Sequence, residues 1–141
     1  MENSLEMIEL ELAILIRRIT SASGNKKIGH LDRSAYLILH QIATNGAAGV
    51  KSLAGEFQLD ISTVSRQAAA LEHKGYLYKI PDPTDGRAYT FQITELGLKE
   101  LRDDKRARMD RVAEVTKNWP EEDREVFGRL LRKFNHGAIS S

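Results

Sequence analysis

A change of hydrophobic period at Gly75 constrains this chain more than any other feature. Before it, apolar residues recur at spacings of three and four, with Leu53, Ala54 and Phe57 in one short run and Val64, Ala68 and Leu71 in the next. That is the period of helices with one buried face. After it, Tyr76-Leu77-Tyr78-Lys79-Ile80 and Tyr89-Thr90-Phe91-Gln92-Ile93-Thr94 are rich in aromatic and β-branched residues, which suit a pleated, half-buried surface. Between these two runs, Pro81-Asp82-Pro83-Thr84-Asp85-Gly86-Arg87-Ala88 has the proline, aspartate and glycine content of a turn. Two short helices, over Lys51–Gln58 and Ser62–Lys74, are therefore joined by one glycine to a β-hairpin with a long tip.

The rest of the chain reads as helix. Leu5, Ile8, Leu12, Leu15, Ile16 and Ile19 form a helical stripe, and Leu10 and Ile14 add apolar surface on another side. A helix apolar on more than one side needs two partners, and a second subunit is one candidate. Gly24 is a plausible stop, and residues 26–30 read as a loop. The next helix is expected from Asp32, as N-cap, to Thr44, with Leu37, Ile38, Ile42 and Ala43 inward. Thr94 is the candidate cap of a charge-dense helix over Glu95–Asn118, whose apolar line is Leu98, Leu101, Met109, Val112 and Val115. Pro120 suits the first turn of a last helix striped by Val126, Phe127, Leu130, Leu131 and Phe134, with Trp119 beside it as the expected anchor of a helix corner and fraying expected from His136 onward.

The fold class is mainly α with a small β-hairpin wing (α+β): a winged helix-turn-helix core with N- and C-terminal helices. Residues 1–141 make one domain, with outer helices at 1–23 and 119–141, a winged core at 31–94 and a connecting helix at 95–118. A chain of 141 residues can bury about two-thirds of the surface its unfolded form exposes, so it needs no staple. The absence of cysteine excludes disulfides, thiolate metal sites and thiol sensing. No run approaches the ~20 apolar residues of a membrane span. The N-terminus is acidic first and basic last, the reverse of a signal peptide. A soluble, cytoplasmic protein is expected, with no membrane partner.

The stretch from Leu53 to Arg66 carries the chemistry. Ala54 provides the small residue needed where two helices cross. The second helix opens with Ser62, Thr63, Ser65 and Arg66. Short hydroxyls at a helix N-terminus suit phosphates and base edges, and arginine suits guanine O6 and N7. Taken alone, this segment equally fits two packed helices with Arg66 in solvent. The hairpin tip adds Arg87 on a stiff loop, in reach of a narrow minor groove, with Asp85 as its ion-pair partner.

Four linked motifs resemble the MarR family of transcription regulators: Ser62-Thr63-Val64-Ser65-Arg66, Leu71-Glu72-His73-Lys74-Gly75-Tyr76-Leu77, Asp82-Pro83-Thr84-Asp85-Gly86-Arg87 and Ile93-Thr94-Glu95-Leu96-Gly97. The resemblance implies a homodimer, built from N- and C-terminal dimerisation helices at 1–23 and 119–141, that sets two recognition helices in successive major grooves of palindromic double-stranded DNA, most often as a repressor. It puts Ser62, Thr63, Ser65, Arg66 and Gln67 on the recognition helix, Arg87 and Asp85 on the wing, and Lys51 and Ser52 at phosphates. Ile80 and Gly86 stand where the family often carries basic residues, which implies fewer wing contacts. The resemblance also implies a small aromatic ligand between the dimerisation and DNA-binding parts. Tyr36 and His40, one helical turn apart, either line that pocket or pack against one another.

Other chemistry has little support. The four histidines show no metal-ligand spacing, and there is neither a Walker loop nor a GxSxG elbow, so no metal, cofactor or catalytic residue is expected. The run Arg102–Arg111 reads as a solvated face with i, i+4 ion pairs. A winged-helix module used for protein contacts is the alternative to a DNA-binding one. The formal net charge of +1 is no argument for DNA, but residues 24–94 carry eight Lys/Arg against six Asp/Glu, while residues 1–23 carry four Glu against Arg17 and Arg18. The bias is modest, so positioned arginines must supply more than bulk charge does.

Overall fold

The computed structural model describes residues 3–21, 31–84 and 88–139. Its elements are α1 (Ser4–Ser21), α2 (Arg33–Asn45), α3 (Val50–Phe57), α4 (Ile61–His73), β1 (Leu77–Pro81), β2 (Tyr89–Ile93), α5 (Glu95–Val115) and α6 (Glu121–Ile139). The expected order and fold class are present, with boundaries shifted by a residue or two except at the C-terminal end of α5. Helix α6 runs on through the segment expected to fray, as far as Ile139. The expected stop at Gly24 and the loop at 26–30 lie outside the described residues.

Helix α2 starts where Asp32 Oδ1 accepts the Ala35 amide at 2.9 Å. It buries Ala35, Ile38, Leu39 and Ile42, so the inward stripe runs through Leu39, while Leu37 and Ala43 are exposed. The reason is phase: Ala35, Ile38, Leu39 and Ile42 follow the three-and-four spacing, and Leu37 and Ala43 fall off that line. Helices α3 and α4 add Leu53, Ala54, Val64, Ala68 and Leu71 to the same core.

Helices α3 and α4 end alike. In α3, the Leu59 and Gln58 amides donate to the Ala54 and Gly55 carbonyls, at 3.0 and 3.4 Å. In α4, the Tyr76 and Gly75 amides donate to Leu71 and Glu72, both at 2.9 Å. Each is a Schellman closure around a left-handed residue: Gln58 at φ 52° and Gly75 at φ 84°.

Strands β1 and β2 pair antiparallel from Leu77 opposite Ile93 to Pro81 opposite Tyr89. Ala48, between α2 and α3, joins β2 through an isolated bridge, exchanging two backbone hydrogen bonds with Phe91, at 2.9 and 3.1 Å. Leu77 and Phe91 point into the core and anchor the wing to it.

Thr94 caps α5 as expected. Its hydroxyl accepts the Gly97 amide at 2.9 Å and donates to the Gly75 carbonyl at 2.6 Å. One side chain thus ties the start of α5 to the end of α4. The first half of α5 packs on α2 through Leu101 and Asp104, whereas Met109, Val112 and Val115 beyond it are exposed. Helix α6 leaves at an angle held by Arg124, whose Nε and Nη2 donate to the Thr116 hydroxyl and carbonyl, both at 3.1 Å. Trp119 meets Phe127 edge-on at 5.6 Å, which makes it the corner anchor the sequence indicates.

Among the described residues, none of the buried core comes from α1 or α6. Leu5 is 75% exposed, and Ile8, Leu15, Phe127, Leu130 and Phe134 also lie largely in solvent.

Gly97 tests the joint between wing and α5. A Cβ there would lie inside van der Waals contact of the Tyr76 carbonyl oxygen and 2.8 Å from Ile93 Cγ1. Backbone cannot yield as a flexible side chain does, so Gly97→Ala is expected to cost about 1–3 kcal/mol in urea unfolding.

Candidate nucleic-acid interface

The inward residues of α4 fix which of its side chains face outward. Val64, Ala68 and Leu71 are buried against α2 and α3, leaving Ser62, Ser65 and Arg66 exposed and Thr63 and Gln67 half-buried on the flanks. Asp60, just before α4, makes no cap bond to its backbone. Its carboxylate instead accepts the Thr63 hydroxyl proton at 2.8 Å. The Thr63 oxygen is thereby turned into an acceptor toward solvent.

Lys51 and Ser52 lie exposed in the first turn of α3, which no side chain caps. They share the α3–turn–α4 unit with the outward residues of α4. The wing stands beside α4. Lys79 Nζ sits 3.7 Å from Glu72 Oε1 and 4.5 Å from the centre of the Tyr89 ring, linking the hairpin to the recognition helix. These groups are too exposed for the pair to add much stability, so its effect is on orientation. At the tip, Asp82 Oδ1 accepts both the amide and the hydroxyl of Thr84, at 2.9 and 2.8 Å, and the Asp82 amide donates to Ala88. Asp85 and Arg87, the expected wing residues, lie outside the described residues.

Tyr36 and His40 are apart from this surface, on α2. Their rings lie 5.9 Å apart at 41°. The sequence argument missed their neighbour. Arg108 of α5 stacks on Tyr36, with its guanidinium carbon 4.3 Å from the ring centre, and donates to the Leu31 carbonyl at 3.2 Å. Arg108 Nε is buried with no hydrogen-bond partner among the described residues.

Asp104, one turn back on α5, is fully buried and accepts the Leu31 amide at 3.1 Å, with Arg108 Nη2 3.8 Å away. The run 102–111 is thus not solvated throughout: Lys99–Asp103 is an exposed pair, whereas Asp104 is a buried strut. The one available signal was the i, i+4 spacing of Asp104 and Arg108 on the side of α5 that carries Leu101. Close by, burial and then the Glu100 and Asp104 carboxylates raise the pKa of the Tyr76 hydroxyl, which favours its neutral form.

A recognition helix with an exposed polar face, its supporting helix and an adjoining wing define a winged helix-turn-helix protein. The model of the MarR family matches residues 31–89. YxaD, a helix-turn-helix transcriptional regulator of Bacillus subtilis (strain 168), is 45% identical over 139 residues, covering 98% of this chain and 97% of that protein. The crystal structure of MarR superposes with a TM-score of 0.73 at 20% identity, over 95% of this chain and 98% of that one. The PcaV regulator of Streptomyces coelicolor, solved with its natural ligand, gives 0.72 at 20% identity, over 98% and 99%.

The chain belongs to the MarR family of transcription regulators. DNA binding and control of transcription are the properties of that family, and its relatives are described as regulators rather than enzymes. Among the described residues, no helix is long and apolar enough to cross a membrane.

Removing the buried carboxylate should expose how much the strut contributes. Asp104→Ala leaves the Leu31 amide without its acceptor and Arg108 without its counter-charge. A loss of about 2–4 kcal/mol is expected in chemical denaturation, with a smaller loss for Asp104→Asn, which keeps an acceptor.

Proposed function

We propose that this chain acts in the cytoplasm as a homodimeric repressor that binds a palindromic duplex operator in a sequence-specific way. The observation that carries the proposal is the outward face of α4, where Ser62, Ser65 and Arg66 stand exposed on a helix whose other side is locked into the core. In this assignment Arg66 reads a guanine, while Ser62, Thr63, Ser65 and Gln67 contact base edges and phosphates. Lys51 and Ser52 hold phosphates at the uncapped start of α3. Asp85 and Arg87 complete the wing contact in the minor groove.

The homodimer is supported by the apolar side chains of α1, the far half of α5 and α6 that stand exposed among the described residues, such as Leu5, Val115 and Leu130. Such area is what obligate partners bury. Two copies place two α4 helices in grooves one helical turn apart, roughly 34 Å. Occupancy of that length of duplex excludes other proteins, which makes repression the simplest outcome.

A small aromatic ligand would stack beside Tyr36 and His40, the ring pair one turn apart on α2. It releases DNA only if it favours a dimer whose α4 spacing misses the two grooves.

Selection of bound sequences from a random duplex pool tests the DNA-binding proposal. A palindrome is expected, and Arg66→Ala should weaken binding by about 1–3 kcal/mol while relaxing preference at one position of each half-site. A protein that selects nothing at low salt, with Arg66→Ala indistinguishable from wild type, would instead be a protein-contact module. The pairing of copies has its own check. Leu130→Glu places a charge on the exposed α6 stripe and should shift sedimentation from dimer to monomer; an unchanged dimer would remove α6 from the interface.

A further inference from the structure

We infer that Ile61 is a specificity-determining residue that reads the C5-methyl group of a thymine in each half-site. The inference rests on the DNA-binding role proposed above. Ile61 opens α4 and is 53% exposed, whereas the inward residues of the same helix are at most 2% exposed. It is absent both from the core and from the partly buried side chains packed against it. A large β-branched side chain therefore stands in solvent on the helix meant to enter the groove.

The surroundings of Ile61 favour a base over the backbone as its target. Ser62, Ser65 and Ala69 on the outward side are small and exposed, so they let the helix sit deep in a major groove. At that depth Ile61 reaches base edges. Of the four bases, thymine alone presents a methyl group in the major groove, and apolar side chains recognise it by contact.

Ile61 and Arg66 are five residues apart. At about 1.5 Å of rise per residue, that is roughly 7.5 Å, or about two base steps. Each half-site should therefore carry a thymine within two or three base pairs of the guanine read by Arg66.

Replacing thymine by uracil removes the methyl and leaves base pairing intact. The experiment measures full-length wild-type and Ile61→Ala protein on the duplex selected from the random pool, with thymine and then with uracil at the assigned positions. Wild type is expected to lose about fourfold per half-site, the worth of one buried methyl at about 0.8 kcal/mol, and on the order of tenfold for the symmetric duplex. Ile61→Ala should bind the thymine duplex as wild type binds uracil and be indifferent to the exchange, with Ile61→Val between the two.

Wild-type binding unchanged by uracil overturns the inference, as does an equal loss in Ile61→Ala, since another group then reads the methyl. Failure to select any duplex is a different result: it removes the DNA-binding proposal itself, and this inference with it.

Discussion

The carboxylate of Asp104 is the constraint on which the arrangement of the chain depends. A buried charge is tolerated only when its lone pairs are filled, and here the Leu31 amide and the Arg108 guanidinium stand at that oxygen. Arg108 in turn holds the Leu31 carbonyl. Both polar groups of one residue at the head of α2 are therefore gripped by two residues one turn apart on α5. Leu31 itself is buried, so the grip closes over an apolar anchor. Because α5 leads to the exposed apolar helices and α2 belongs to the winged core, this contact fixes the direction in which one part leaves the other.

The same end of the core is stiffened by a second set of bonds. Thr94 joins the Gly75 carbonyl to the first turn of α5, and the Thr94 amide donates to the Tyr76 carbonyl. The close approach at Gly97 leaves no room for a side chain. The recognition helix, the wing and the long helix thus meet at one rigid corner, while α4 presents its polar face on the side away from the core. Rigid support for an exposed reading surface is what specific recognition requires, since a loosely held helix pays ordering entropy on binding.

Much of this was legible in the sequence because it is local. The period change at Gly75, the caps at Asp32 and Thr94, the inward faces of α3 and α4 and the Trp119 corner all follow from spacing and residue type. The details that escaped depend on distant neighbours. Ala48 pairs with Phe91 across more than forty residues and has no strand signature of its own. Gln58 takes a left-handed conformation that usually marks a glycine. Asp104 is one carboxylate in a run of charges, and only its contact with Leu31 sets it apart. Ile61 has no sequence signal that marks it as exposed, because exposure is a property of the packed molecule. The candidate DNA-facing set on α3 and α4 could be named from sequence, but its geometry could not.

The bridge at Ala48 also bears on how copies of this chain can meet. It pairs one residue of β2 on the side away from β1, while β1 presents an open edge. That edge is five residues long, ends in Pro81, which lacks an amide proton, and carries Lys79. Short length, proline and charge are the features by which sheets resist adding strands from a neighbour. The wing is thereby kept from running on into an intermolecular sheet, even where copies of the chain meet at high local concentration.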